Sequence, residues 1–512
     1  DDPQKDYILQ SWIRMCRCLG KDFVPYLPMV IPPILQIASV EPELRVQDSN
    51  AAEEEDGWEY LTVGDKKIAI HTSVIEEKAA AINMLYAYVF ELKDGFIEWV
   101  DRTAAVLVPL ITFYYHQGVR MAVLNAFPQL LQSSVLHAKK TGQGADKVKT
   151  LFEYILQQLL DGIRNEDDAE IVEAEIESVH ECISMLGENG LSAEHIPAAI
   201  EVVNHVLGWV HKRRGDRAAQ KAKHNQGLSG RGILEDELRD NACESELAEI
   251  IGALAKWNMP LFLPVFQGMG DTLTKLLASD HFADKQLGIC IFDDVVEHCK
   301  SKDVVKLMLQ AFLPAVVPNI THADPTVRQA AVYGMGVCAQ RGQELFVPLV
   351  KDITQNLLRA ITAQDARFGD NAPPTDNAIS SVGKIILYQR QHVDLAQLVP
   401  AFASWLPCTA DALECVVVHN QLCDIIEDEA LSQILFGANY QGLPAVLKIF
   451  CELINTQYIE PKCQNRIVNI LKKIATFPPA LLQNSIGALP VEYRPVATGL
   501  FAKLDTLLLP VS

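Results

Sequence analysis

The sequence predicts an all-α fold, a right-handed solenoid of about ten stacked helix pairs. Three observations lead there. The first is the stretch 303–341, which reads as two helices and a tight turn. Val305, Leu309, Phe312, Leu313, Val316 and Ile320 recur at helical spacing and make one apolar stripe. Asp324-Pro325 ends that helix and starts the next: the Asp324 carboxylate caps the new amino terminus, and Pro325 fits a first turn that loses no amide partner. In the second helix Val327, Ala330, Ala331, Gly334 and Cys338 form a stripe of small residues, which lets two helices approach closely. The pair cannot bury both stripes alone, so it needs copies on either side. The second observation is that copies exist. A proline sits inside an apolar run, at the same place in each expected first helix, at Pro28, Pro109, Pro264, Pro314, Pro348, Pro400 and Pro444, with gaps of 81, 155, 50, 34, 52 and 44 residues. The long gaps are multiples of a unit of about 40, the period of HEAT and armadillo repeats. Val119-Arg120 repeats Val327-Arg328. The third is composition: 512 residues, 49% of them hydrophobic, exceed one compact domain unless they form an array, and few runs alternate as strands do.

Taken in order, residues 1–20 read as the second helix of a pair whose first helix is missing, as expected of a fragment of a longer protein. The solenoid follows over 21–476. A first helix at 24–38 has its partner only from about His71, so 40–70 is an acidic insertion holding Glu53, Glu54 and Glu55 and closing in Gly57-Trp58-Glu59-Tyr60. Pairs are expected at 96–137, 144–188 and 191–258. The last contains a mixed-charge insertion at 212–240, basic at Lys212, Arg213, Arg214 and Arg217 and acidic at Glu235, Asp236, Glu237 and Asp240. Its composition, and that of 41–56, predicts mobile solvated loops. Further pairs fall at 260–300, 303–341, 343–391, 394–428 and 438–476, and 477–512 holds capping helices.

The net charge of −21 disfavours a nucleic-acid backbone as main partner and favours basic partners. Twelve scattered cysteines without a CxxC fit reduced thiols in cytosol or nucleus. The apolar stretches 29–37 and 104–115 are too short to cross a bilayer, so no membrane insertion is expected. No nucleophile elbow, phosphate loop or zinc-protease motif occurs, so neither an enzyme nor a cofactor is expected. Cys415, His419 and Cys423 share one helical face. Three ligands on one straight helix span about 12 Å and cannot surround a metal, so these residues read as core. The basic run 212–223 reads either as a nuclear-localisation or nucleic-acid patch or as a solvated helix end. The acidic run 41–56 reads either as a decoy for basic peptides or as a solubilising loop.

On the helical wheel of 284–299, Gln286, Asp293 and Glu297 share a narrow arc, opposite Leu287, Ile291, Val295 and His298. Asp294 falls beside the apolar stripe and reads as a hydrogen-bonded structural residue. Asp324, Arg328 and Val327 read as serving the fold. Asp324 caps, and Arg328 reaches acceptors in the turn of its own or the next repeat.

Several stretches resemble the importin-β (karyopherin-β) nuclear transport receptors: KQLGICIFDDVVEHC at 285–299, VRQAAVYGMGVCAQRG at 327–342, LVPAFASWLPCTADALE at 398–414 with QLCDIIED at 421–428, and EEDGWEYLTVGDKK at 54–67. The resemblance runs through the chain in order. It implies the carboxy-terminal half of a HEAT-repeat receptor that carries basic cargo, such as ribosomal proteins and histones, between cytoplasm and nucleus. It also implies binding to phenylalanine-glycine nucleoporins and release of cargo by Ran-GTP. In such receptors second helices line the inner wall, so Asp293, Glu297 and Gln286, with Trp58 and Glu53 to Glu55, become candidate partner-binding residues. An ordinary solvated face is the alternative for that arc, and a scaffold such as a phosphatase structural subunit is the alternative for the whole chain.

Overall fold

A computed structural model describes residues 3–41, 44–48, 58–63, 66–223 and 230–509. It divides into two compact units, Asp1–Gly268 and Met269–Ser512. In the first unit, α1 (Pro3–Leu19) is followed by α2 (Leu27–Ala38), strands β1 (Leu44–Asp48), β2 (Trp58–Val63) and β3 (Lys66–His71), and α3 (Thr72–Leu92). Then come α4 (Ile97–Leu107) with α5 (Gln117–Thr141), α6 (Ala145–Asn165) with α7 (Ala169–Leu186), and α8 (His195–Lys223) with α9 (Gly230–Phe266). The second unit holds α10 (Gly270–Ala278), α11 (Phe282–His298), α12 (Lys302–Val316), α13 (Pro325–Arg341), α14 (Gln343–Phe346), α15 (Val350–Ile361), α16 (Ala372–Tyr388), α17 (Leu395–Ser404), α18 (Ala412–Glu427), α19 (Glu429–Phe436), α20 (Leu443–Leu453), α21 (Pro461–Ala475), α22 (Pro479–Gly487) and α23 (Tyr493–Ala502).

The architecture is the all-α stack of helix pairs. Second helices pack on second helices, α3 to α5 to α7 to α9 in one unit and α11 to α13 to α16 to α18 to α21 in the other. Their starts are set locally. His116, Asp168, His281, Asp324 and Asp411 each stand just before a second helix and accept a hydrogen bond from an amide of its first turn. Those amides have no partner within the helix, so a short acceptor side chain at this place fixes where the helix begins. The stretch Lys302–Thr321 is long and apolar enough by composition to cross a membrane, longer than the sequence reading allowed. Its apolar stripe is spent inside the unit: Val305, Met308, Leu309, Leu313, Val316 and Ile320 are buried.

Three expectations change. The repeated prolines do not share one helical position. Pro28 and Pro444 lie in first turns, Pro109 in a 3-10 turn, and Pro314 and Pro400 inside helices. A first-turn proline loses no hydrogen bond, whereas an interior one removes one. The shared feature is thus the apolar run, not the geometry of the proline.

The insertion at 40–70 carries an antiparallel sheet of order β1-β3-β2, with Leu44 opposite Ile70 and Trp58 opposite His71. The sheet is local to the insertion and leaves the helical stack intact. The Arg45 guanidinium lies 3.9 Å from the Trp58 ring, and the His71 ring meets it edge-on at 5.2 Å. Where the insertion leaves α2, the buried Lys78 ammonium donates to the carbonyls of Ala38 and, at 2.9 Å, Val40. Burial pushes the Lys78 ammonium below its ordinary value, against the pull of Glu41.

The segment 212–240 is not a loop over its described residues: α8 runs on to Lys223 and α9 begins at Gly230. The positive and negative runs face each other across this hairpin. Arg213 Nε meets Asp240 Oδ1 at 2.9 Å, Arg217 meets Asp240 Oδ2, and Arg214 Nη2 meets Glu244 Oε2 at 2.8 Å. Asp240 and Glu244 are buried, and their arginine partners offset the cost of desolvating the carboxylates. α9 kinks at Asn258, whose φ of −136° and ψ of 26° are not helical. The Asn258 side-chain Oδ1 accepts from the Leu191 amide at 3.3 Å and anchors the approach to α8.

Candidate partner-binding wall

In each unit polar side chains link successive second helices and their turns. In the first unit, Arg120 near the start of α5 donates from Nε to the Ile111 carbonyl at 2.7 Å, in the turn of its own pair. Its Nη2 reaches Glu166 in the next turn and lies 3.5 Å from Glu175 on α7. Glu175 is buried beside Gly162, where a Cβ would lie 2.5 Å from Oε1, so only glycine leaves room. Burial pushes the Glu175 carboxyl up to about 8, against the pull of Arg120. Further along, Glu177, Glu181 and Glu246 crowd around His180, whose Nδ1 meets Glu246 Oε2 at 2.9 Å. Desolvation raises the carboxyls of Glu177 and Glu181, and Glu246 adds to both shifts. These groups have more negative charge among them than His180 can balance.

In the second unit the turns are laced in the same way. Asp324 Oδ1 accepts from the amides of Thr326 at 2.9 Å and Val327 at 3.2 Å. Val327 itself is fully buried. Arg328 Nη1 donates to the His322 carbonyl at 2.6 Å, and its Nη2 reaches Asn371 in the turn before α16. Asp411 ties three second helices together. Its Oδ1 caps α18 at Leu413 and Glu414, while its Oδ2 accepts from Gln329 on α13 at 3.0 Å and Asn377 on α16 at 2.7 Å. Asp376 Oδ2 receives the amides of Thr409, Ala410 and Asp411. His419 is inside the unit, with Nδ1 3.0 Å from the Tyr458 carbonyl and Nε2 accepting from the Cys408 amide.

The proposed arc on α11 divides. Leu287, Ile291 and Val295 are buried, while His298 is only half-buried. Glu297 and Gln286 are half-buried, as is Asp294. Asp293 is not on an outer face: it is 2% exposed. A Cβ on Gly334 would stand 2.0 Å from its Oδ1, so its carboxyl lies against the α13 backbone. Neither carboxyl oxygen has a hydrogen-bond partner. Desolvation holds the Asp293 carboxyl well above its ordinary value, with Asp294 and Glu297 adding to the effect and Lys384 opposing it. A wheel with one apolar face fails here because a stacked second helix is covered on its flank as well as its base. Trp58 is engaged by Arg45 and His71 within the sheet, and Glu53, Glu54 and Glu55 lie outside the described residues.

The wall also assembles residues that pattern reading passed over. Tyr333 on α13 donates its hydroxyl to Glu297 Oε2 at 2.6 Å, and Lys384 Nζ on α16 lies 4.8 Å from the centre of the Tyr333 ring. Glu414 on α18 is 6% exposed, and one of its oxygens is unpartnered. Its carboxyl is raised by burial and drawn down by Lys384. The available signal was Lys384 itself, the only Lys or Arg of α16. A half-open pocket of about 670 Å³ lies elsewhere in this unit, lined by Phe436, Tyr440, Ile470 and Phe477 together with Glu427 and Lys473.

Comparison with known proteins places this arrangement. Residues 171–279 match the family model "Importin repeat 6". The importin subunit beta-3 of Saccharomyces cerevisiae is 26% identical over 492 residues, covering 94% of this chain and 43% of that protein. The probable importin-5 homolog of Dictyostelium discoideum is 24% identical over 474 residues, covering 90% of this chain and 42% of the relative. The crystal structure of Kap121p superposes with a TM-score of 0.77 at 23% identity, covering 98% of this chain and 44% of that one. Other Kap121p crystal structures are of complexes with RanGTP, Pho4p and Nup53p. The chain therefore spans less than half the length of the relatives it matches.

Proposed function

We propose that this chain, a relative of the importin-β (karyopherin) proteins along most of its length, forms part of a nuclear transport receptor. In this role the chain would contribute a negatively charged wall to the binding of basic cargo, with ribosomal proteins and histones as the cargo class. Ran-GTP would oppose that binding, and the receptor would shuttle between cytoplasm and nucleus. The observation that carries the reading is the placement of Glu177, Glu181 and Glu246 on α7 and α9, and of Glu297 on α11, along rows of second helices. Carboxylates crowded in partly desolvated positions are relieved by a cationic partner, and their field draws such a partner in. The Phe436, Tyr440 and Phe477 cavity fits the side chain of a phenylalanine-glycine nucleoporin, a neutral partner that the wall would not attract.

The test is fluorescence anisotropy of the purified chain with a Lys- and Arg-rich peptide and with a neutral peptide of equal length. Binding of the basic peptide alone, weakening steadily with salt, is expected. A pull-down with Ran-GTP should compete with it. Equal binding of both peptides, or none at low salt, overturns the reading for this chain.

A further inference from the structure

The second unit's wall has a feature that a simple acidic surface lacks. Two second helices, α11 with Asp293 and Glu297 and α18 with Glu414, bring carboxyls toward one cation, Lys384, on α16 between α13 and α18. Two of these carboxyls are more than nine-tenths buried and retain unpartnered oxygens: both oxygens of Asp293 and Oε2 of Glu414. Lys384 does not satisfy them directly. Among the described residues it has no salt-bridge partner, and its ammonium rests over the Tyr333 ring at 4.8 Å. Its stem lies along α13, with Cδ 2.9 Å from where a Cβ on Gly336 would be. The Tyr333 ring is in turn held by its hydroxyl bond to Glu297. An aromatic face and a half-buried carboxylate beside it, with the buried carboxyls of Asp293 and Glu414 behind, are the elements of a seat for one ammonium or guanidinium group. In this structure the seat is taken by the chain's own lysine.

We propose that Lys384 is an internal competitor. It occupies over Tyr333 the position that a Lys or Arg side chain of a bound basic segment would take, and it is displaced when that segment binds. The proposal rests on the basic-partner reading above and adds a regulation to it. The local charge balance gives it physical content. With Lys384 in place the seat is partly neutralised, so an isolated cation gains little by entering. A segment that also engages neighbouring carboxylates can displace it. The residue would set a threshold that favours multiply charged partners over singly charged ones.

The test compares wild type with Lys384→Met, which keeps the stem and removes the charge, and Lys384→Arg, which keeps the charge. The probe is a labelled Lys- and Arg-rich peptide, read by anisotropy at low and moderate salt, with thermal melting of each variant alongside. Lys384→Met is expected to bind the peptide three- to ten-fold more tightly, with a steeper salt dependence, while Lys384→Arg stays close to wild type. If Lys384→Met fails to fold, Lys384→Gln takes its place with the same expectation. In wild type, acylation of Lys384 followed by mass spectrometry should increase on peptide binding, because the ammonium leaves the ring. Equal or weaker binding by the folded charge-free variant, or unchanged acylation on binding, overturns the competitor role and leaves the basic-partner reading standing. Absence of peptide binding by every variant overturns both.

Discussion

The α8–α9 hairpin and the α11–α13–α16–α18 wall both bury carboxylates, but they treat them differently. In the hairpin, Asp240 holds Arg213 and Arg217, and Glu244 holds Arg214. In the wall, Asp293 has no hydrogen-bond partner on either oxygen, and a single lysine stands off over an aromatic ring. Buried charges matched by arginine forks in fixed geometry close a structure. Buried carboxyls left without partners are costly to the fold, and such groups accumulate where something else is to be bound. The contrast separates buried carboxylates paired with arginines from a buried carboxyl that has no partner of its own.

The strongest way to break this contrast is Asp240→Ala. It strands two arginines and should cost roughly 3–5 kcal/mol, toward the low end because Arg213 keeps some solvent. Chemical denaturation would measure it, and hydrogen exchange should place the loss in α8 and α9. Basic-peptide binding to the second unit should be unaffected. A near-neutral result would show that the hairpin pairs are surface decoration.

Asp293→Asn should act in the opposite direction. Its folded carboxyl value is raised, so the stability linked to it is fully present below about pH 4 and declines as pH rises toward the folded value. The substitution should flatten that decline and leave the protein about 1–3 kcal/mol more stable at neutral pH. Melting temperatures across pH 4 to pH 8 decide it. A destabilised variant with unchanged slope would mean that the carboxylate is matched in solution. Asp293→Lys, by contrast, would place an ammonium against the α13 backbone and should unfold the site, so it is not a surface probe.

Asp324→Ala provides a scale for an ordinary turn residue. It removes a cap from α13 and should lower stability by about 0.5–2 kcal/mol, with peptide binding intact. Lost binding at unchanged stability would move Asp324 from the fold to the site. The smallest effect is expected from Glu297→Gln, which removes one half-buried charge beside Tyr333. It should weaken a basic peptide by about 0.2–1 kcal/mol at low salt and less at moderate salt. Equal affinity at both salts would show that Glu297 only orients the tyrosine.

Much of the fold was legible because helix pairs announce themselves locally. Asp324-Pro325, the 303–320 stripe and the small residues of 327–338 specify two helices and their turn with no knowledge of neighbours. Gly334 belongs to that stripe, and what the stripe admits is not only a helix backbone but also the carboxyl of Asp293. The candidate site was less legible. Periodicity ranks the faces of one helix against a single core, whereas α11 meets α13 along its flank, so Asp293 moved from the outer arc to the interior. Composition misled at 212–240 for a related reason. Mixed charge reads as solvated when taken in order, yet Arg213 and Asp240 become neighbours once the chain turns back on itself.

The sequence by itself determined the repeat, the caps, the helical class and the excess of negative charge, since each depends on residues within a few turns of one another. Only the tertiary structure decided which charges are matched and which stand exposed. It also decided that Lys384 faces Tyr333 and that Glu414 joins Asp293 across two intervening helices. The physical reason is range. Hydrogen-bond capping and apolar periodicity act within a pair, but the desolvation and pairing of a charge depend on what neighbouring pairs bring against it, and that is fixed only when the pairs are stacked.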